Sequence, residues 1–187
     1  MNVANKISTF RILTVPFFIA CLIYYTPERT FLRFSALGIF ILAVISDAAD
    51  GYFARKAKLQ SKAGLILDPL GDKLLLMSAF ICLYIIDKLP LRFPLWVILI
   101  VISRDVIILL GAAVIYMVKQ DIDISPTRWG KLTTTFQMLA VISVLIALPF
   151  SFIFWWFAVA LTILSGADYL RRGFSILYAV DNHRSNH

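Results

Sequence analysis

Charge is scarce in this chain. Only 16% of its 187 residues are Asp, Glu, Lys or Arg, and 60% are apolar, far from the balance of a water-soluble domain. With so little polar surface available to face water, lipid is the expected solvent. Cysteine is equally sparse. Cys21 and Cys82 both sit inside apolar runs, which argues against a disulfide framework or a Cys/His zinc site and reads as two small buried hydrophobes. The two histidines, His183 and His187, fall in a short polar tail. No small-residue cleavage pattern follows the first apolar segment, so a cleavable signal peptide is not expected. Neither a repeat, a low-complexity stretch nor a linker divides the chain, and a single domain over 1–187 is predicted. The formal net charge of +7 raises nucleic acid as a partner. However, the basic residues are scattered between apolar runs and form no stripe, so no nucleic acid is expected and anionic lipid headgroups are the better match.

Long apolar runs are what the chain does have. A transmembrane helix needs about 20 mostly apolar residues. Leu132 to Ala167 carries no charge at all and is long enough for two such helices. Pro149 divides it, because proline disfavours helix in the residue before it, predicting helices over about 130–148 and about 152–178. Upstream lie Ile12 to Pro27, Phe34 to Lys58, Ala63 to Ile86 and Phe93 to Val118. The prediction is an all-α integral membrane protein, a bundle of six transmembrane helices with antiparallel neighbours. Asn2 to Arg11, with Ile7 and Phe10 between Lys6 and Arg11, is predicted as an amphipathic helix lying on the membrane surface. Twelve basic residues (Lys6, Arg11, Arg55, Lys56, Lys58, Lys62, Lys119, Arg128, Lys131, Arg171, Arg172, Arg184) fall on one side of this layout. Four (Arg29, Arg33, Lys88, Arg92) fall on the other. The positive-inside rule then puts both termini in the cytoplasm of a multi-pass protein of the cell's inner membrane.

Four aspartates contradict the lipid environment. Asp47 and Asp50 lie in the second predicted span, Asp68 and Asp72 in the third. A charge within a span costs about 2.5–3.5 kcal/mol on insertion scales and usually marks function. The pairs are three and four residues apart, so each shares one helix face, and a hairpin of the two spans would gather all four near its cytoplasmic end. Bare, they would repel and take up protons; two divalent cations would cancel the charge. Hard oxygen ligands suit Mg²⁺ or Mn²⁺, which typically combine a few carboxylates with substrate phosphates. Gly51, Gly64 and Gly71 leave room for close packing or for a ligand, and Arg55 could grip a phosphate. Lys73 either snorkels or neutralises one carboxylate. A proton or ion pathway, as in a small transporter, would use the same kind of carboxylates.

Asp47-Ala-Ala-Asp50-Gly51-Tyr-Phe-Ala54-Arg55, followed after eight residues by Gly64, then Asp68 and Asp72 at four-residue steps, resembles the full signature of the CDP-alcohol phosphatidyltransferase family. That resemblance implies a six-span fold over nearly the whole chain and a homodimer. It also implies transfer of a phosphatidyl group from CDP-diacylglycerol to an alcohol, with release of CMP. By the same resemblance Asp47, Asp50 and Asp68 hold two Mg²⁺ or Mn²⁺ ions, and Asp72 is a further ligand or the catalytic base. Gly51 and Arg55 contact the CDP part, with Ser61, Asn5, Ser8 and Arg11 as weaker candidates. The chemistry agrees: cations on a pyrophosphate open its phosphorus to attack, and a carboxylate can take the proton of the attacking alcohol.

The acceptor is less legible. Asn5, Arg11 and Pro16, the run Asp68-Pro-Leu-Gly-Asp72-Lys73, and Trp129-Gly130-Lys131-Leu-Thr-Thr-Thr-Phe-Gln137-Met are similar to the phosphatidylglycerophosphate synthase branch, whose acceptor is glycerol 3-phosphate. Arg104, Arg128 and Lys131 could hold that phosphate, although Arg128 and Lys131 also read as positive-inside anchors and Asp105 offers Arg104 a partner. The fourth span departs from that branch. After Ser103-Arg104-Asp105 it lacks a second arginine and looks more like the cardiolipin synthases, whose acceptor is phosphatidylglycerol. Glycerol 3-phosphate ranks first, phosphatidylglycerol second.

Overall fold

The computed structural model of the protein describes residues 3–57, 64–119 and 128–184, and the side-chain surroundings of 12–46, 73–108, 110–111 and 129–171. Among the described residues every regular element is an α-helix: α1 Val3–Ile23, α2 Thr30–Ala57, α3 Gly64–Ile85, α4 Leu95–Lys119, α5 Arg128–Ile146 and α6 Ser151–Arg184. The separate surface helix expected over Asn2–Arg11 does not form as such. α1 runs unbroken from Val3 to Ile23, so the polar segment and the first apolar run are one helix. Neither glycine nor proline interrupts the stretch from Val3 to Val15, and helix once nucleated propagates cheaply. Pro16 lies inside α1, where it removes one backbone donor, a loss that membrane-embedded helices commonly accommodate. α6 also continues past the expected end near residue 178, to Arg184.

The break between α5 and α6 falls where Pro149 predicted it, but Ala147 makes it. Ala147 has φ 62°, and its N–H donates to the carbonyl of Val144 while the N–H of Leu148 donates to that of Ser143. This pair of bonds closes a helix through a left-handed residue, a position usually given to glycine. An alanine there carries a Cβ penalty of about 1–2 kcal/mol. Ala147→Gly should therefore raise the melting temperature in detergent, by up to about 1 kcal/mol of stability after the added chain entropy is offset. Ala147→Val, β-branched at positive φ, should lower it.

Contacts gather in two compact units: Met1–Pro94 with Val141–Pro149, and Leu95–Ala140 with Phe150–His187. In the first unit α1 packs along both α2 and α3. Phe18 and Leu22 of α1 are fully buried, as are Ala36, Phe40 and Ala43 of α2 and Ala79, Phe80 and Leu83 of α3. The spacing of these positions puts them on single helix faces, and the alanines let backbones approach. Phe18 meets Phe40 with ring centroids 5.9 Å apart, and Phe80 meets Phe93 at 4.7 Å.

At one end of this unit lie the α1–α2 turn and the α3–α4 connection. Glu28 is held below the ordinary carboxylate range by a backbone hydrogen bond and one from Thr26, with Lys88 and Arg29 adding attraction. Arg92 pairs with Asp87 in the same connection. The start of α2 and the end of α3 therefore share one end of the unit, so the two helices run antiparallel.

In the second unit α4 packs on α6, and the two run parallel. Trp96 meets Trp156 near both starts, with centroids 5.2 Å apart. Arg104 meets Ser165 further along, and Gly111 meets Tyr169 further still. A Cβ on Gly111 would stand 2.8 Å from the Tyr169 ring, so glycine there admits the ring. α5 is tied to α6 by buried polar bonds: Gln137 donates to Thr162 Oγ1 at 3.0 Å, and Thr133 Oγ1 donates to the Leu161 carbonyl at 3.0 Å.

The surface is the reverse of a soluble protein's. Leu13, Phe17, Phe31, Leu42, Leu99, Leu110, Phe157 and Ile163 are exposed, while Asp105, Thr133, Gln137, Thr162 and Ser165 are buried. An exposed apolar surface of this breadth among the described residues suits lipid. Trp129–Ile146 and Ser151–Arg171 are each long and apolar enough to cross a bilayer.

Candidate active site

The signature residues sit on two helices of one unit. Asp47, Asp50, Gly51 and Arg55 lie in the second half of α2, and Asp68 and Asp72 in the first half of α3. Because α2 and α3 run antiparallel, these portions come to the same end of the unit, opposite the turn that carries Glu28. At about 1.5 Å per helical residue, Asp50 stands about 10 Å before the end of α2 and Asp68 about 6 Å after the start of α3. Each aspartate pair lies within unbroken helix, so spacings of three and four put each pair on one face. α1, packed on both helices, holds them in one body. The side chains of all six residues lie outside the described set, as do those of Asn5, Ser8 and Arg11 in the first half of α1 and that of Arg128 at the start of α5. Ser61 falls in 58–63, outside the described residues altogether. Among the described residues no three His, Cys, Asp or Glu gather as a metal site.

The four aspartates would offer hard carboxylate oxygens, which fit a divalent cation such as Mg²⁺ or Mn²⁺ in donor type. In an apolar environment four such groups are costly without one.

The acceptor candidates divide. Lys131 is exposed on the first turn of α5. Arg104 is not a free cation: its Nη1 donates to Asp105 at 2.7 Å and its Nη2 to Ser165 Oγ at 2.8 Å. The Arg104 and Asp105 side chains are only 10% and 4% exposed. Asp105 is thus the partner that its place in sequence offered. Sequence reasoning did not find Ser165, which lies in the stretch read only as apolar span. The available signal was Thr162 and Ser165, two polar residues three apart in a run without charge.

Comparison with known proteins bears on the chain as a whole. The family model described as CDP-alcohol phosphatidyltransferase matches residues 1–164. A probable phosphatidylglycerophosphate synthase of Mycobacterium tuberculosis (strain H37Rv) is 31% identical over 178 residues, covering 91% of this chain and 81% of that one. A CDP-diacylglycerol–glycerol-3-phosphate 3-phosphatidyltransferase of Bacillus subtilis is 29% identical over 195 residues, covering 94% and 97%. A protein of the same description from Aquifex aeolicus is 31% identical over 144 residues, covering 77% and 75%. The match spans the aspartate-bearing helices and reaches into the first half of α6, and with it the chain belongs to the CDP-alcohol phosphatidyltransferase family.

Proposed function

We propose that this protein transfers the phosphatidyl group of CDP-diacylglycerol to glycerol 3-phosphate, giving phosphatidylglycerophosphate and CMP. The observation that carries the reading is the complete aspartate signature on two antiparallel helices of one unit. The relatives supply the acceptor, since the similar proteins from Bacillus subtilis and Aquifex aeolicus are named for glycerol 3-phosphate.

Asp47, Asp50 and Asp68 would hold two Mg²⁺ or Mn²⁺ ions. Bound there, such ions would neutralise pyrophosphate charge and make CMP a better leaving group. The remaining work falls to the chain. Asp72 accepts the proton of the acceptor hydroxyl, whose oxygen forms a bond to the phosphorus bearing diacylglycerol as the bond from that phosphorus to the bridging oxygen breaks. The electron pair of the broken bond leaves with CMP. Gly51 and Arg55 contact the CDP moiety, with Ser61, Asn5, Ser8 and Arg11 in support. Arg104, Arg128 and Lys131 receive the acceptor's phosphate.

The same reading makes 1–187 one membrane domain of six spans, acting as a homodimer. Both termini and the active site are cytoplasmic. The charge distribution supports that orientation: Lys119, Arg128, Lys131, Arg171 and Arg172 fall toward one end of the α4–α5–α6 unit, and the exposed Trp96–Trp156 pair toward the other.

An acceptor panel with labelled CDP-diacylglycerol tests the reading. Glycerol 3-phosphate should release CMP at least about tenfold faster than phosphatidylglycerol, inositol phosphate or serine. Cardiolipin formed from phosphatidylglycerol, with no product from glycerol 3-phosphate, would reassign the acceptor.

A further inference from the structure

Arg104 lies in the first half of α4 with its stem against Gly166 of α6, where a Cβ would stand 3.6 Å from Arg104 Cγ. Its side chain is 10% exposed. Two of its nitrogens are committed, Nη1 to Asp105 and Nη2 to Ser165, while its Nε is buried without a hydrogen-bond partner among the described residues. A guanidinium is a rigid planar fork with five N–H donors, so fixed partners on Nη1 and Nη2 also set the direction of Nε–H. Leaving a buried donor unmet is unfavourable enough to need a reason, and a ligand oxygen supplies one. Asp105 cancels the unit charge, so what Arg104 offers a ligand is an aimed N–H more than net attraction. Tyr169 is one turn beyond Ser165 on the same face of α6, and its hydroxyl is likewise buried without a partner among the described residues. Two unmet donors thus line one seam between α4 and α6.

We propose that Ser165 is a positioning residue which, together with Asp105, orients Arg104 so that its Nε–H meets an oxygen of the acceptor's phosphate. This deepens the function proposed above and rests on it. Ser165 touches neither substrate nor reacting atoms; it acts by holding Nη2 of the guanidinium.

Steady-state kinetics of the purified full chain in lipid–detergent micelles test it, with CDP-diacylglycerol and glycerol 3-phosphate varied in turn. Ser165→Ala should raise KM for glycerol 3-phosphate about three- to tenfold while kcat and KM for CDP-diacylglycerol stay within about twofold. Ser165→Thr, which keeps the hydroxyl, should restore the acceptor KM. A purely structural contact would instead lower kcat and the melting temperature together, with no selective change in acceptor KM, and that result overturns the proposal. If Ser165→Ala does not fold, Arg104→Lys gives the same reading. It keeps the charge and loses Nε, so an unchanged acceptor KM overturns the proposal and a selective rise supports it. A wild-type protein that takes only acceptors without a phosphate defeats both this role and the proposed function. One that uses glycerol 3-phosphate equally well with and without the Ser165 hydroxyl defeats this role alone.

Discussion

Asp72→Asn should stop product formation while CDP-diacylglycerol still binds. The amide is isosteric with the carboxylate and keeps one oxygen acceptor, but it cannot take a proton near neutral pH. General base catalysis contributes roughly 10²–10⁴-fold, so turnover should fall at least about 100-fold, measured as labelled CMP release. Binding of labelled CDP-diacylglycerol in the presence of Mg²⁺ should change by no more than a few-fold, because the first three aspartates retain their charges. Near wild-type turnover would remove Asp72 from the role of base. Loss of binding together with turnover would make it chiefly a metal ligand. Both outcomes are readable from the same pair of measurements.

A larger and different loss is expected from Asp50→Ala. Removing a proposed ligand should abolish turnover and also the Mg²⁺-dependent part of CDP-diacylglycerol binding, a combination not expected of Asp72→Asn. Stability should move the other way in metal-free buffer. Carboxylates pooled at one end of an apolar body repel one another and favour protonation, so deleting one should leave the melting temperature without metal unchanged or higher. With Mg²⁺ present, the wild type should gain thermal stability by mass action and the variant little. Chelation with EDTA should stop CMP release by the wild type. A proton or ion pathway through the same aspartates would be indifferent to EDTA, and that result would favour a transporter over a transferase.

The helices were legible because their signal is compositional. An uncharged run interrupted by Pro149 predicts two helices whatever they pack against, and the observed breaks agree to within a few residues. The continuity of α1 was less legible: amphipathic and apolar segments look like two elements when hydropathy alone divides them, although the backbone finds no breaker between them. Ala147 was invisible as a cap, since alanine ordinarily favours helix and adopts positive φ only when surrounding bonds impose it. The aspartate signature was the clearest feature of the chain, because fixed spacing on a helix translates directly into a shared face.

The sequence by itself determined the solvent, the helical class, the family signature and the grouping of four acids on two neighbouring segments. All of these follow from local composition and from helical periodicity. Only the tertiary structure decided that α4 and α6 run side by side in the same direction and that Ser165 reaches Arg104 from 61 residues away. Those facts depend on which faces of separate helices meet, and a one-dimensional pattern of apolar residues carries little information about that when the helices are apolar over most of their surface.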